Sequence, residues 1–166
     1  MQETPQQYMK RIRGYVAGRK PVRMLSAAPK RIAALLEGVP KRRLTRRPSP
    51  GAWSACEILA HLADVEVVQS FRFRLILESS GAPLQSFDQD QWAKFSNYGA
   101  HDPALSYEAY RANRERNVRL LASLPPGMWS RYGMHAERGR ETIRRIAEML
   151  AGHDLNHESQ IRRALK

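Results

Sequence analysis

One cysteine, Cys56, is all the thiol the chain contains, so no internal disulfide can form and packing alone must hold the fold. A lone thiol also fits a reducing compartment, which here means the cytoplasm. Long hydrophobic runs are missing too: no apolar stretch approaches the length of about 18 residues that a membrane span requires. The opening MQETPQQYMK lacks the cationic, apolar, small-residue layout of a secretory signal. A soluble protein with no membrane partner is expected. Aromatic residues are scarce, at 8%, and are not interleaved with basic ones, so a platform for stacking nucleic-acid bases is not visible.

Acidic residues are in the minority, 16 against 28 Lys and Arg, which leaves a net charge of +12 and raises the question of a nucleic-acid partner. The distribution argues against one. The densest cluster, Lys41, Arg42, Arg43, Arg46 and Arg47, lies between Pro40 and Pro48, in a connector and not on a recognition helix. A solvated basic surface is the preferred reading, with some attraction for anionic small ligands. At 166 residues, 42% apolar and 27% charged, the chain has globular composition and the length of one domain, residues 1–166. A chain of this size buries about two-thirds of its unfolded surface, so any metal it binds serves function, not folding.

Hydrophobic spacing predicts helices and little else. Thr4-Pro5-Gln6-Gln7 reads as a capped start for a helix to about Val16. Pro21 interrupts, and Met24 to Glu37 carries Leu25, Ile32, Leu35 and Leu36 at helical steps. Residues 38–53 have loop composition. Ser54, with Glu57 three residues on, caps the longest helix, to about Glu78. A short helix around Phe87 to Phe95, a long one from Pro103 to Leu124, a glycine-punctuated connector over 125–140 and a last helix from Glu141 to about Leu165 complete the chain. No segment alternates strictly and β-branched residues never concentrate, so strands are not predicted. The expected class is all-α, a four-helix bundle with irregular connections.

Polar residues interrupt two of the apolar stripes. Ile143, Ile146, Leu150, His153, His157 and Ile161 follow one another at steps of three or four, so two histidines point inward. An i, i+4 pair is about 6 Å apart along the axis, close enough for both imidazoles to reach one ion. On the long helix, Ile58, His61, Val65, Val68 and Arg72 share a stripe, which turns a third histidine inward. Imidazoles from helices packed about 8–10 Å apart can meet at one cation, with ligand positions left for water or substrate. The competing reading is that inward histidines are satisfied core residues, since H-x-x-x-H is common by chance.

Three acids accompany the proposed site. Glu57 stands one turn before His61, Asp64 three residues after it, and Asp154 within one turn of His157. Each could orient an imidazole or carry a proton. Each also has a plainer role, Glu57 in the capping box and the two aspartates as surface carboxylates. Glu66 and Glu158 rank below them. Cys56 is expected to be a buried small hydrophobe, Trp53 to pack at the start of the long helix, and His101 and His135 to be exposed loop residues. Imidazole ligates only when neutral, so metal affinity is expected to fall below about pH 6.5.

Three segments together resemble the DinB-like superfamily of bacterial four-helix-bundle proteins, also described as YfiT-like metalloenzymes. They are Gly51-Ala52-Trp53-Ser54 through Glu57 into His61-Leu62-Ala63-Asp64-Val65-Glu66, then Glu137-Arg138-Gly139-Arg140-Glu141-Thr142, and His153-Asp154-Leu155-Asn156-His157 with Gln160-Ile161. The resemblance implies a divalent ion on His61, His153 and His157, with Zn²⁺ or Ni²⁺ the expected metals. It implies activity on a small-molecule substrate, either transfer to or from a low-molecular-weight thiol or hydrolysis. It also implies a possible homodimer and lowers the nucleic-acid reading further. A non-catalytic metal- or ligand-binding bundle is the alternative, and a basic nucleic-acid-binding domain the third.

Overall fold

Proline and short polar side chains set most of the helix starts, as expected from what each supplies at an N-terminus. The computed structural model describes residues 5–166; Thr4, the expected first cap, lies outside the described residues. Helix α1 spans Pro5–Gly14. Helix α2, Pro21–Leu36, starts on the proline expected to separate it from α1, ahead of the expected Met24: at the first helical position the missing N–H costs nothing and the fixed φ is already helical. The basic connector holds one short helical turn, α3 (Lys41–Leu44). Helix α4 runs Ala55–Glu78 behind a complete Ser54/Glu57 capping box. Asp88 caps the short α5 (Gln89–Phe95), Asp102 caps α6 (Pro103–Ala122) and Thr142 caps α7 (Ile143–Ala164).

The long helices pack α2 on α6, α6 on α4, α4 on α7 and α7 on α2. They close a ring in which the consecutive helices α2 and α4 sit across a diagonal, as do α6 and α7. Connections that cross a bundle end must be long, and both are. Leu25, Val65, Phe73, Ile76, Leu121, Ile146 and Leu150 form one core cluster, and Ile32, Ile58, Leu59, Leu62, Tyr110 and Ile161 a second. No described helix is long and apolar enough to cross a membrane.

Helix α1 lies against α7. A Cβ added at Gly152 would meet the Ile12 carbonyl oxygen at 2.1 Å, so glycine is what lets the two backbones touch beside His153.

The second long connection corrects the expectation of no strands. Strands β1 (Ala82–Leu84), β2 (Tyr132–His135) and β3 (Gly139–Thr142) form a small sheet, β1 parallel to β2 and β2 antiparallel to β3. Three or four residues are too few to show alternation, and the pairing of β1 with β2 is distant in sequence. The β2–β3 turn closes on Gly139, at φ 68°, a conformation glycine adopts without strain. Glu141, expected in the last helix, is instead a fully buried residue of β3. His135 is also corrected: it sits on β2, 3% exposed, and is not an open loop residue. His101 is half-buried, its Nε2 2.8 Å from the Ser96 carbonyl.

Candidate metal centre

The capping box that starts α4 sets the height of His61. Ser54 Oγ accepts from the Glu57 amide, and Glu57 Oε2 accepts from the Ser54 amide at 2.8 Å. Arg47 pairs with the same carboxylate. Burial works against the charged form of Glu57, but Arg47 and the cap donors outweigh it and hold the carboxyl below its usual range. One turn on, His61 enters the bundle with its ring 5.1 Å from that of Trp53.

On α7 the i, i+4 spacing brings His153 and His157 to the same point. His153 Nε2 lies 3.1 Å from His61 Nε2 and 3.0 Å from His157 Nε2, and ligand atoms of all three rings fall within 4.8 Å of one another. His61 and His157 are buried and His153 half-buried. Burial, reinforced by repulsion from His157 if charged, lowers His61 and His153 well below the usual imidazole value. Burial also takes His157 down to about 4, with the neighbouring Gln160 side chain opposing the shift. All three rings are therefore neutral at neutral pH, the state in which imidazole is a ligand.

The donor set fits a single divalent ion. Two nitrogens each about 2.0–2.1 Å from a shared ion, at angles between octahedral and tetrahedral, are about 2.8–3.4 Å apart. The two distances from His153, 3.0 and 3.1 Å, lie inside that window, and the His61–His157 pair is within 4.8 Å. The proton inventory agrees. Three neutral imidazoles carry three ring protons, and the Nδ1 atoms of all three are buried without a hydrogen-bond partner among the described residues. Protons on Nδ1 leave three Nε2 lone pairs facing one another; protons on Nε2 crowd at the same point. A cation is the partner that resolves the first arrangement.

The acids near these histidines in sequence are engaged elsewhere. Asp64 accepts from the Tyr98 hydroxyl at 2.5 Å. Asp154, expected on the surface, is fully buried and bound to Arg114, whose Nη2 reaches Asp154 Oδ1 at 2.9 Å and Glu66 Oε1 at 2.7 Å. Burial is the larger effect on Asp154 and lifts it to about 6 despite Arg114. Asn117 donates to the other oxygen of Glu66 at 2.9 Å, and Arg31 grips Glu158. Glu66 and Glu158 are thus buried partners of arginines. Cys56 is buried, as expected.

Arg114 and Tyr98 were not singled out from the sequence. The signal for Arg114 was present: it interrupts the Tyr110, Asn117, Leu121 stripe of α6, as Glu66 and Asp154 interrupt those of α4 and α7.

The histidines open on a cavity of about 1980 Å³ walled by α1, α4 and α7. Ile58, Val65 and Leu150 give it apolar surface, and Gln69, Gln160 and several arginines give it polar groups.

Residues 24–161 match the family model of the DinB superfamily. A protein of Oceanobacillus iheyensis, named provisionally as a metal-dependent hydrolase, is 25% identical over 111 residues, 67% of this chain and 64% of that protein. One of Bacillus mycoides with the same provisional name is 20% identical over 133 residues, 80% of this chain and 76% of the relative. YfiT of Bacillus subtilis, also so named, is 22% identical over 116 residues, 70% of this chain and 65% of the relative. The chain thus spans just under two-thirds of two of these proteins. The solved structure of YfiT, described as an unusual four-helix bundle topology, superposes with a TM-score of 0.79. It covers 95% of this chain and 85% of YfiT at 19% identity, a likeness of fold.

Proposed function

The chain belongs to the DinB superfamily, and on that premise we propose that it is a metal-dependent hydrolase of a small-molecule substrate, with one divalent ion held by His61, His153 and His157. The observation that carries the reading is the meeting of three neutral imidazole nitrogens, within 4.8 Å of one another, at the wall of a large cavity. The provisional names of the relatives agree with it.

A Zn²⁺ or Ni²⁺ ion bound there supplies a Lewis acid that polarises a carbonyl and lowers the pKa of water or a thiol toward neutrality. The chain's own residues do the rest. Burial keeps the three rings unprotonated and available as ligands. The half-buried His153 marks the side on which substrate approaches, and Trp53, which also lines the cavity, packs against the His61 ring. Gln69 on α4 is buried with its side-chain oxygen unpartnered among the described residues, a group able to accept from a substrate N–H or O–H. Glu57, Asp64 and Asp154 are held by Arg47, Tyr98 and Arg114, so they brace the histidines' helices and are not proton carriers.

A second reading, transfer of a low-molecular-weight thiol, is favoured by the size of the cavity. Small-ligand pockets run to about 300–1000 Å³, and about 1980 Å³ accommodates a thiol and an electrophile together.

Metal analysis after dialysis against Zn²⁺ or Ni²⁺ tests the site. One ion per chain is expected, retained about a hundredfold less tightly in His61→Ala and in the His153→Ala, His157→Ala double variant. Equal retention in the double variant removes the proposed ligands. The loaded protein is then assayed for hydrolysis of aryl esters and amides in water, and for consumption of chlorodinitrobenzene with and without cysteine. Turnover only with the thiol selects the transferase reading, and no turnover in either assay leaves a binding protein.

A further inference from the structure

We propose that Arg138 and Arg145 form an oxyanion subsite at the end of the cavity remote from the histidines, where they bind the carboxylate or phosphate of an elongated substrate. Arg72 stands behind them and Glu141 braces them. The identification of the bound anion as substrate rests on the reading of the cavity as the reaction site; the subsite itself does not. The residues come from the Glu137–Thr142 segment, from the first turn of α7 and from α4, and the three arginines line the same cavity as His61, His153 and His157.

The charges there are unbalanced. Three guanidiniums surround one carboxylate, Glu141, which is fully buried. Arg138 Nε and Arg145 Nε stand 3.4 and 3.5 Å from Glu141 Oε1, outside hydrogen-bonding geometry. Both nitrogens and both Glu141 oxygens are buried without a hydrogen-bond partner among the described residues. The cavity's other acids, Asp90, Glu137 and Glu148, make no ion pair with these arginines among the described residues. The Nε atoms face Glu141, while the outer guanidinium nitrogens of Arg138 and Arg145, side chains 27% and 39% exposed, make no hydrogen bond among the described residues and are the donors that an incoming anion meets.

Neighbouring groups register the positive field. Burial, then Arg138, lowers Arg72 to about 10 although Glu141 opposes the shift. Burial, then Arg138 and Arg72, takes His135 down to about 4. Arg72 is pinned, 5% exposed, by a hydrogen bond to the Gln85 carbonyl and by the ring of Phe87 at 5.9 Å, so it acts as a fixed charge behind the two freer guanidiniums. The first turn of α7 carries no acid and places Arg145 against the positive end of the helix dipole. That placement costs stability and adds to the attraction for an anion.

Spacing defines the ligand. Arg145 precedes His153 by eight residues on α7, about 12 Å along the axis, and Arg72 follows His61 by eleven on α4, about 16 Å. An anionic group at one end therefore places a bond two to three helical turns away at the histidines.

The test uses the full chain, metal-free after EDTA dialysis, and the His61→Ala variant, so that it reads independently of the metal. Inorganic phosphate and succinate are titrated calorimetrically at constant ionic strength. One saturable site per chain is expected in both proteins, and the tighter of the two probes identifies the group recognised. Binding weakens about tenfold or more in R138Q and in R145Q, strengthens in E141Q and is unchanged in R116Q, an exposed residue of α6. The opposite sign in E141Q separates loss of an anion site from loss of structure. Absence of saturable binding by either probe overturns the proposal. So does wild-type affinity in both arginine variants, or weakening in E141Q equal to theirs. Anion binding with no metal retained would refute the histidine site alone.

Discussion

Replacing Arg114 by methionine should be among the most damaging single changes in the molecule. The guanidinium is 1% exposed and serves carboxylates on two other helices, Glu66 on α4 and Asp154 on α7, both buried to within 1%. Methionine fills most of the volume and leaves two carboxylates unpaired in the core. Removing one partner of a buried pair costs about 3–5 kcal/mol, which for a chain of this length lowers Tm by roughly 10 °C.

The loss must depend on pH. Burial already holds Asp154 at about 6 with the arginine present, and without it that carboxyl rises further above its unfolded value. A carboxyl raised in the folded state contributes stability below its unfolded pKa and loses it as pH rises through the folded one. R114M should therefore be nearest to wild type at pH 5 and furthest from it at pH 8. Glu66→Gln and Asp154→Asn in the same chain should recover most of the loss. Urea denaturation of the metal-free protein, followed by tryptophan fluorescence, measures all three. A loss under about 1 kcal/mol, or one of the same size at both pH values, refutes the account.

The metal-free wild type carries the opposite pH signature. His135 and His157 have folded values of about 4, and His61 and His153 are also lowered, so the unfolded chain binds more protons below the free imidazole value. Stability is lost as pH falls from about 6.5 toward 4, by about 3 kcal/mol for His157 alone, with Asp154 offsetting part of it. A flat urea midpoint between pH 7.5 and 5 would be inconsistent with these buried rings. For the same reason metal should be retained below pH 6.5, lower than free imidazole would allow, which equilibrium dialysis at pH 5.5 checks. Gly152→Ala should destabilise by about 1–2 kcal/mol although alanine is the better helix former by about 1 kcal/mol, because its Cβ meets the Ile12 carbonyl. A variant more stable than wild type in urea would show that α1 does not seat on α7 as described.

Residues at helical period were the legible ones. The α4 cap, the length of that helix and the inward stripe of α7 follow from spacing that repeats within a few residues, and the meeting of His61 with His153 and His157 follows once those stripes face one core. What could not be read depends on pairs distant in the chain. Arg114, Glu66 and Asp154 each look like ordinary surface charges in isolation, and only their shared position on three inward stripes marks them as one cluster. Asp64 presented the same difficulty, since its partner Tyr98 lies in a single 3₁₀ turn, Tyr98–Ala100, too short to show periodicity.

The small sheet joins the unread part of the fold to the site. Tyr132-Gly133-Met134-His135 has no β-branched residue and would not be a strand alone; it becomes one because β1 and β3 supply its hydrogen bonds. Pairing of His135 with Gly139 sets the turn that presents Arg138, and pairing of Gly133 with Glu141 fixes the buried carboxylate beside it. Thr142 then ends the strand and caps α7, its hydroxyl accepting from the Arg145 amide at 3.1 Å. The strand register therefore carries Arg138 and Glu141, and the cap that follows carries Arg145, while the helix that Thr142 starts carries His153 and His157. One continuous segment spaces the two ends of the cavity, so a one-residue slip of β3 would turn Glu141 out of the cluster without moving the histidines relative to each other.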